Sequence, residues 1–234
     1  LLDQSKIVAS HFNSINDYDT CSHHVVPWND EIQEIVYRNS LKYLSFQIKG
    51  RARAIDFGVG TGHGASLFLS ENKDAELIGV DFSEKMIEKA RKNLTSNGLI
   101  GRAMIINTDF TQWNPPKGID IAFSAIAIHN ATDSGKKALF GRIWKSLKNG
   151  GVFINGDFVR SEAGSAQKAW EKYYAAYMKN YLSAKELKAW MHHAFIEDKP
   201  AKLSEQQKWM EEAGFSEFGV LWQKNNLAIY FARK

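Results

Sequence analysis

The chain has 234 residues, 44% of them hydrophobic and 24% charged, with a formal net charge of +4. That balance supports a sizeable globular core and excludes a disordered or fibrous chain. The lone cysteine, Cys21, excludes an internal disulfide, and no apolar run reaches the roughly 18 residues that span a bilayer. A single thiol fits a reducing compartment, so a cytoplasmic location is expected. The mild positive charge is compatible with an anionic partner without requiring one.

In chain order, "RAIDFG" (residues 53–58) reads as a buried strand, and "GASLFLSEN" after it as a helix. "ELIGVDF" (76–82) is the next strand. Ser83 is placed as the N-cap of a helix that carries Met86, Ile87, Ala90 and Leu94 on one face and stops at Gly98. Strands follow at 103–109 and 119–129, then a helix ended by Gly150 and Gly151, then a strand at 152–159. Strands separated by helices imply right-handed crossovers and a parallel sheet covered on both faces. Residues 161–200 form a helical, aromatic-rich segment. Ser204 and Gln207 have capping-box spacing for a helix ending at Gly214. Two final apolar runs are separated by only Lys224 and Asn225, which predicts an antiparallel hairpin at the sheet edge.

The glycines at 58, 60, 62 and 64 follow the first strand and open a helix. In an open parallel sheet, ligands bind at the carboxyl ends of the strands. Glycines there admit positive φ and let a ligand touch the backbone, while the helix N-terminus offers free N–H groups to an anion. Asp81 ends the second strand 21 residues after Gly60, where a carboxylate can accept both hydroxyls of a ribose. Asp109 and Phe110 end the third strand, where a polar group can read an adenine amine. "GTGHGA" also satisfies a loose dinucleotide fingerprint. Asp56, inside the first strand and suited to an ammonium group, argues against that reading, as does the terminal hairpin.

These stretches resemble the class I S-adenosylmethionine-dependent methyltransferases over residues 52–234. "IDFGVGTGHG" is similar to their D/E-x-G-x-G-x-G motif, "GVDFSEKMIEKA" to the ribose-binding strand and helix, "TDF" to the adenine position and "SLKNGGVFINGDF" to the segment before the fifth strand, with Asn149 in place of a usual proline. The resemblance implies a Rossmann-like, doubly wound α/β fold. Its seven-stranded, mostly parallel sheet would carry a C-terminal antiparallel hairpin and a helical cap. It implies one domain over 1–234: a helical lid (1–50), a cofactor-binding core (51–160), a helical insertion (161–203), and a terminal helix and hairpin (204–234). S-adenosyl-L-methionine would be the cofactor. Asp56 would lie near its ammonium and Gly58, Gly60 and Gly62 along its methionyl part and ribose. Asp81 would hold the ribose hydroxyls, and Phe82 and Met86 would line the adenosine. Asp109 and Phe110 would meet the adenine, and the stretch from Ser124 to His129 would close the site beneath the sulfonium. "HFNSINDYD" resembles an N-terminal segment of small-molecule methyltransferases in which a tyrosine, here Tyr18, folds over the cofactor and acts in catalysis.

If the acceptor carries a proton, His129 is the first candidate base, because imidazole titrates near neutrality, and Asp157 is the second. His129 also reads as a packing or capping residue. Trp170, Tyr173, Tyr174, Tyr177 and Tyr181 read either as core packing or as walls of an acceptor pocket. The His23-His24 and His192-His193 pairs lack partners at ligand spacing, so no metal is expected. Lysines of the aromatic segment alternate with Glu171 and Glu186, which argues for a solvated face over a nucleic-acid track. The expected partner is a small-molecule acceptor, with neither nucleic acid nor membrane. The oligomeric state stays open, a homodimer included. A cofactor-modifying or RNA-associated protein of the same fold is the alternative, with a NAD-dependent reductase behind it.

Overall fold

The computed structural model describes residues 18–44 and 50–234. Its strands are β1 (Arg53–Phe57), β2 (Glu76–Asp81), β3 (Ala103–Asn107), β4 (Ile119–Ala125), β5 (Leu147–Phe158), β6 (Glu217–Lys224) and β7 (Leu227–Arg233). They form one seven-stranded sheet in the order β3-β2-β1-β4-β5-β7-β6. The first five strands pair in parallel, while β7 runs antiparallel to both β5 and β6. The doubly wound sheet with a terminal hairpin therefore stands as the sequence implied.

Among the described residues the helices are α1 (Tyr18–Val25), α2 (Asn29–Gln33) continuing through a π-helical stretch (Glu34–Asn39) into α3 (Ser40–Tyr43), α4 (His63–Glu71), α5 (Glu84–Ser96), α6 (Asp133–Ser146), α7 (Gly164–Met178), α8 (Ala184–His192) with a π-helical end (His193–Glu197), and α9 (Leu203–Ala213). Their starts follow from local chemistry. The Ser83 hydroxyl accepts the Met86 N–H at 3.3 Å, and Thr132 accepts the Gly135 N–H at 3.1 Å. Each cap satisfies an N–H that the first turn would leave free. Ser183 and Glu186 form a reciprocal capping box on α8.

Alternation along the strands sorts side chains to two faces. Ala54, Ile121, Phe123 and Ile154 meet α2, α4 and α5 on one side. Ile55, Phe57, Phe153 and Tyr230 meet α6 and α9 on the other. Burying each such phenylalanine contributes about 1.5–3 kcal/mol. Met86, Ile87, Ala90 and Leu94 are the buried face of α5, as their spacing predicts. No helix among the described residues is long and apolar enough to cross a membrane.

Several boundaries differ from expectation, and β3 stops at Asn107, leaving Asp109 and Phe110 in the turn beyond it. β4 stops at Ala125, and His129 lies in a separate 3₁₀ turn, Ile128–Asn130. β5 starts at Leu147, whose extended φ/ψ of −67°/143° ends α6 before the glycines. The box on α9 uses Glu205, which accepts the Lys202 N–H at 3.0 Å, so Ser204 and Gln207 do not form it. The hairpin turn is Asn225-Asn226, with Asn225 at φ +51°.

The N-terminal helices are locked onto the sheet through Tyr37, which is 3% exposed and donates its hydroxyl to Asp56 Oδ1 at 2.8 Å. A Cβ on Gly64, in the first turn of α4, would lie 2.3 Å from the Tyr37 ring. The ring is held at both ends and has nowhere to retreat. Gly64→Ala is expected to destabilise by about 1–3 kcal/mol through overpacking. A urea midpoint unchanged from the wild type would contradict this placement.

Candidate active site

A cleft opens at the carboxyl ends of β1, β2 and β4. Gly58, Gly60, Asp81, Phe82, Met86 and Phe110 line it, together with Tyr37, Ile126, Asn130 and, from the N-terminal helices, Ser22, His23, Asn29 and Gln33. Asp81 organises it. Its Oδ2 accepts the Gly60 N–H at 3.0 Å, and its Oδ1 accepts the Ser83 N–H at 2.9 Å. One carboxylate thus joins the glycine turn, the end of β2 and the start of α5. Burial pushes its pKa up to about 6, against the backbone N–H groups of Ser83, Gly60 and Phe82. Gly58 sits at φ +85°, and a Cβ there would fall 2.4 Å from the Ala127 Cβ, so the turn closes on the β4 loop only with glycine.

Other residues singled out from the sequence take different places. Asp56 is fully buried behind Tyr37, outside the cleft lining, and its Oδ2 finds no hydrogen-bond partner among the described residues. Burial raises its pKa to about 7, opposed by the Tyr37 hydrogen bond. Gly62 packs on Ala90 of α5, where a Cβ would lie 3.1 Å from its Cα. Asp109 Oδ1 accepts the Thr111 N–H at 2.8 Å and its hydroxyl at 2.7 Å. Ser124 is buried and donates to the Phe57 carbonyl at 2.8 Å. None of these three belongs to the lining either. Tyr18 begins α1, but its side chain lies outside the described residues, as do 11–17 of the N-terminal motif.

His129 borders a second cavity, with Asp157 hydrogen-bonded behind it. The His129 N–H donates to Asp157 Oδ2 at 2.9 Å, and His129 Nδ1 lies 2.6 Å from Asp157 Oδ1. This fixes the imidazole with Nε2 toward the Asn130 amide (3.1 Å) and Asp198 Oδ2 (3.6 Å). Burial alone would lower the His129 pKa, yet the charges of Asp157 and Asp198 raise it. The cavity around it is lined by Ile126, Phe158, Tyr174, Trp190, His193 and Asp198, among others. Ser22 and Ile126 line both this cavity and the cleft, so the two adjoin. Ile126 has φ +52°, an outlier for a β-branched residue, and is pinned by its N–H to the Gly156 carbonyl at 2.8 Å. Asp198 is held in register because the Lys199 N–H donates to the His129 carbonyl at 3.0 Å. The buried Lys136 ammonium reaches the carbonyls of Ala131 and Lys199.

Tyr37, Asn130 and Asp198 were missed by sequence reasoning, whereas Ala125, Ile126 and Ala127 of the stretch 124–129 do line the cleft. No local spacing relates Asp198 to His129, 69 residues away. His193 stood out only as half of a histidine pair. Of the aromatic segment, Tyr174 alone is fully buried, whereas Tyr173 stacks on Trp28 with centroids 5.5 Å apart and Tyr181 stacks on His24 at 4.8 Å.

Comparison with known proteins agrees with this fold. Residues 54–151 match the methyltransferase domain family. A carboxy-S-adenosyl-L-methionine synthase of Nautilia profundicola is 26% identical over 189 residues, 78% of this chain and 77% of that protein. An uncharacterised methyltransferase of a Geobacillus species is 29% identical over 157 residues, 66% of this chain and 70% of that one. A Nostoc punctiforme structure assigned as an O-methyltransferase superposes with a TM-score of 0.64 at 16% identity, over 88% of this chain; this chain spans 56% of that protein. Fold, matched domain and relatives support a class I S-adenosylmethionine-dependent methyltransferase, with S-adenosyl-L-methionine as cofactor. These two relatives are named for different reactions, methyl transfer and synthesis of a carboxylated cofactor.

Asp56 and Asp81 hold protons more tightly when folded than a free carboxyl does, at about 7 and about 6. The folded state therefore binds more protons between the free carboxyl value of 3.8 and these raised values, and stability declines as pH rises from about 4 to about 7. Thermal unfolding of the ligand-free protein across that interval should show the decline, and Asp56→Asn should flatten it. A stability that rises with pH there would contradict these burials.

Proposed function

We propose that the cleft binds S-adenosyl-L-methionine with its ribose on Asp81, and that a small-molecule acceptor reaches it through the cavity at His129. The observation that carries the reading is the Asp81 carboxylate, held at the rim of a glycine turn by two backbone N–H groups. The residues present fit the cofactor. Gly58 and Gly60 bring bare backbone to the cleft, Asp81 offers acceptor lone pairs to sugar hydroxyls, and Phe82, Met86 and Phe110 give an apolar seat for a base. When bound, the cofactor supplies a methyl group on a positively charged sulfur, which is a good leaving group. The protein's task is then largely orientation, worth about 7–11 kcal/mol in favourable cases. Asp157 fixes the His129 tautomer, and His129 Nε2 faces the second cavity as a site for an acceptor proton.

The synthase relative favours a second reading, in which the chain carboxylates the cofactor. That chemistry places a new anion at the sulfonium. None of the described residues lining the cleft is lysine or arginine, which supports methyl transfer. Mass spectrometry of the cofactor pool after incubation distinguishes the two, since carboxylation leaves a heavier cofactor and methyl transfer leaves S-adenosylhomocysteine.

Asp81→Asn is expected to weaken S-adenosylhomocysteine binding about 10- to 100-fold by calorimetry, the range for hydrogen bonds to a charged group. Unchanged affinity would remove the ribose assignment. His129→Gln is expected to lower turnover by about 10²–10⁴-fold while S-adenosylhomocysteine affinity stays within about threefold. Equal losses in both would make His129 structural.

A further inference from the structure

The cavity beside His129 holds more polar chemistry than its own side chains satisfy. Its volume is about 40 Å³, where one ordered water needs about 10–15 Å³, so it admits the head of a small molecule and not its body. Phe158, Tyr174 and Trp190 supply aromatic walls. Asp198 Oδ1 and the Tyr174 hydroxyl are both buried and find no hydrogen-bond partner among the described residues. Buried polar atoms are rarely left so. Asp198 does lie near two imidazoles, with Oδ1 3.4 Å from His193 Nε2 and Oδ2 3.6 Å from His129 Nε2, contacts of ion-pair length.

Charge indicates what the cavity takes. Asp157, Asp198 and Glu197 face His129 and His193. With both imidazoles protonated, the group still carries one negative charge. Lys136, behind Asp157, has its own counter-ion in Asp133 at 3.5 Å. A cation ringed by aromatic faces and offered a carboxylate is well recognised, whereas a hydroxyl brings no charge to offset the acids. The body of such a molecule has room outside, because Asp198 and Ala194 also line an outer depression with Arg160 and Glu171.

We propose that this cavity receives the protonated amine head of the acceptor, with Asp198 as its counter-charge and as the relay for its proton beyond His129; this rests on the cofactor reading of the adjoining cleft. An N–H bond of the ammonium breaks, the proton passes to His129 Nε2 and on to the Asp198 carboxylate 3.6 Å away, and the nitrogen keeps the electron pair as a free nucleophile. The proton then has an exit. Asp198 leads to His193 Nε2, and His193 Nδ1 lies 2.9 Å from Glu197 Oε2, on a side chain 30% exposed to solvent.

Two probes of nearly equal shape test this, trimethylammonium chloride and tert-butanol, titrated by calorimetry into the protein saturated with S-adenosylhomocysteine. Trimethylammonium should bind about tenfold tighter than tert-butanol, and Asp198→Asn should abolish that preference while S-adenosylhomocysteine still binds. Tyr174→Phe, which removes the second unpartnered group without changing shape, should weaken trimethylammonium less than Asp198→Asn does. Equal binding of the probes, binding of neither, or a preference that survives in Asp198→Asn overturns the proposal alone. Failure of S-adenosylhomocysteine to bind the wild type overturns the cofactor reading, and the proposal falls with it.

Discussion

The two backbone N–H groups gripping Asp81 are the constraint on which the rest of the site depends. Gly60 belongs to the turn after β1 and Ser83 caps α5, so one carboxylate fixes a loop, a strand end and a helix start relative to each other. The grip works only because the parallel order β3-β2-β1-β4 brings these carboxyl ends to one rim. Burial raises the cost of the charge, and the N–H groups offset part of it. The remaining lone pairs of Asp81 are what a ligand with hydroxyl donors would satisfy, so folding and binding draw on the same carboxylate.

A similar tension shapes the second cavity. Asp198 and Tyr174 are buried without full pairing, and Ile126, between the two cavities, holds a backbone conformation that costs about 1–3 kcal/mol. The surroundings over-determine them. Lys136 and Lys199 tie the Asp198 segment to the His129 turn. On the other side, Trp28 stacks on Tyr173, and Glu31 accepts the Trp222 indole N–H at 2.9 Å, clasping the N-terminal helices to α7 and β6. Those helices carry Ser22 and Tyr37, so the clasp holds one wall of the cleft.

Much of the fold was legible because its signals are local. Buried strands written as short apolar runs, the Ser83 cap and the α5 face each sit within a few neighbouring residues, and the two-residue gap in the last hairpin excludes a crossover. Boundaries slipped where tertiary pairing overrides propensity, as at Leu147, which joins β5 by pairing with Ile119. At the site, the residues on the glycine turn and at the end of β2 were visible from their spacing. Asp56 was visible too, but Tyr37 covers it, and that contact crosses 19 positions with no motif to announce it. Asp198 and His193 could not be read as partners of His129, because only the folding of α7 and α8 over the sheet brings them within 4 Å of shared groups.

The most direct test is a crystal structure with S-adenosylhomocysteine. The account requires both ribose hydroxyls within hydrogen-bond distance of the Asp81 carboxylate, with the sulfur directed toward Ile126 and the cavity behind it. A nucleoside seated elsewhere, or a ribose facing away from Asp81, would contradict it.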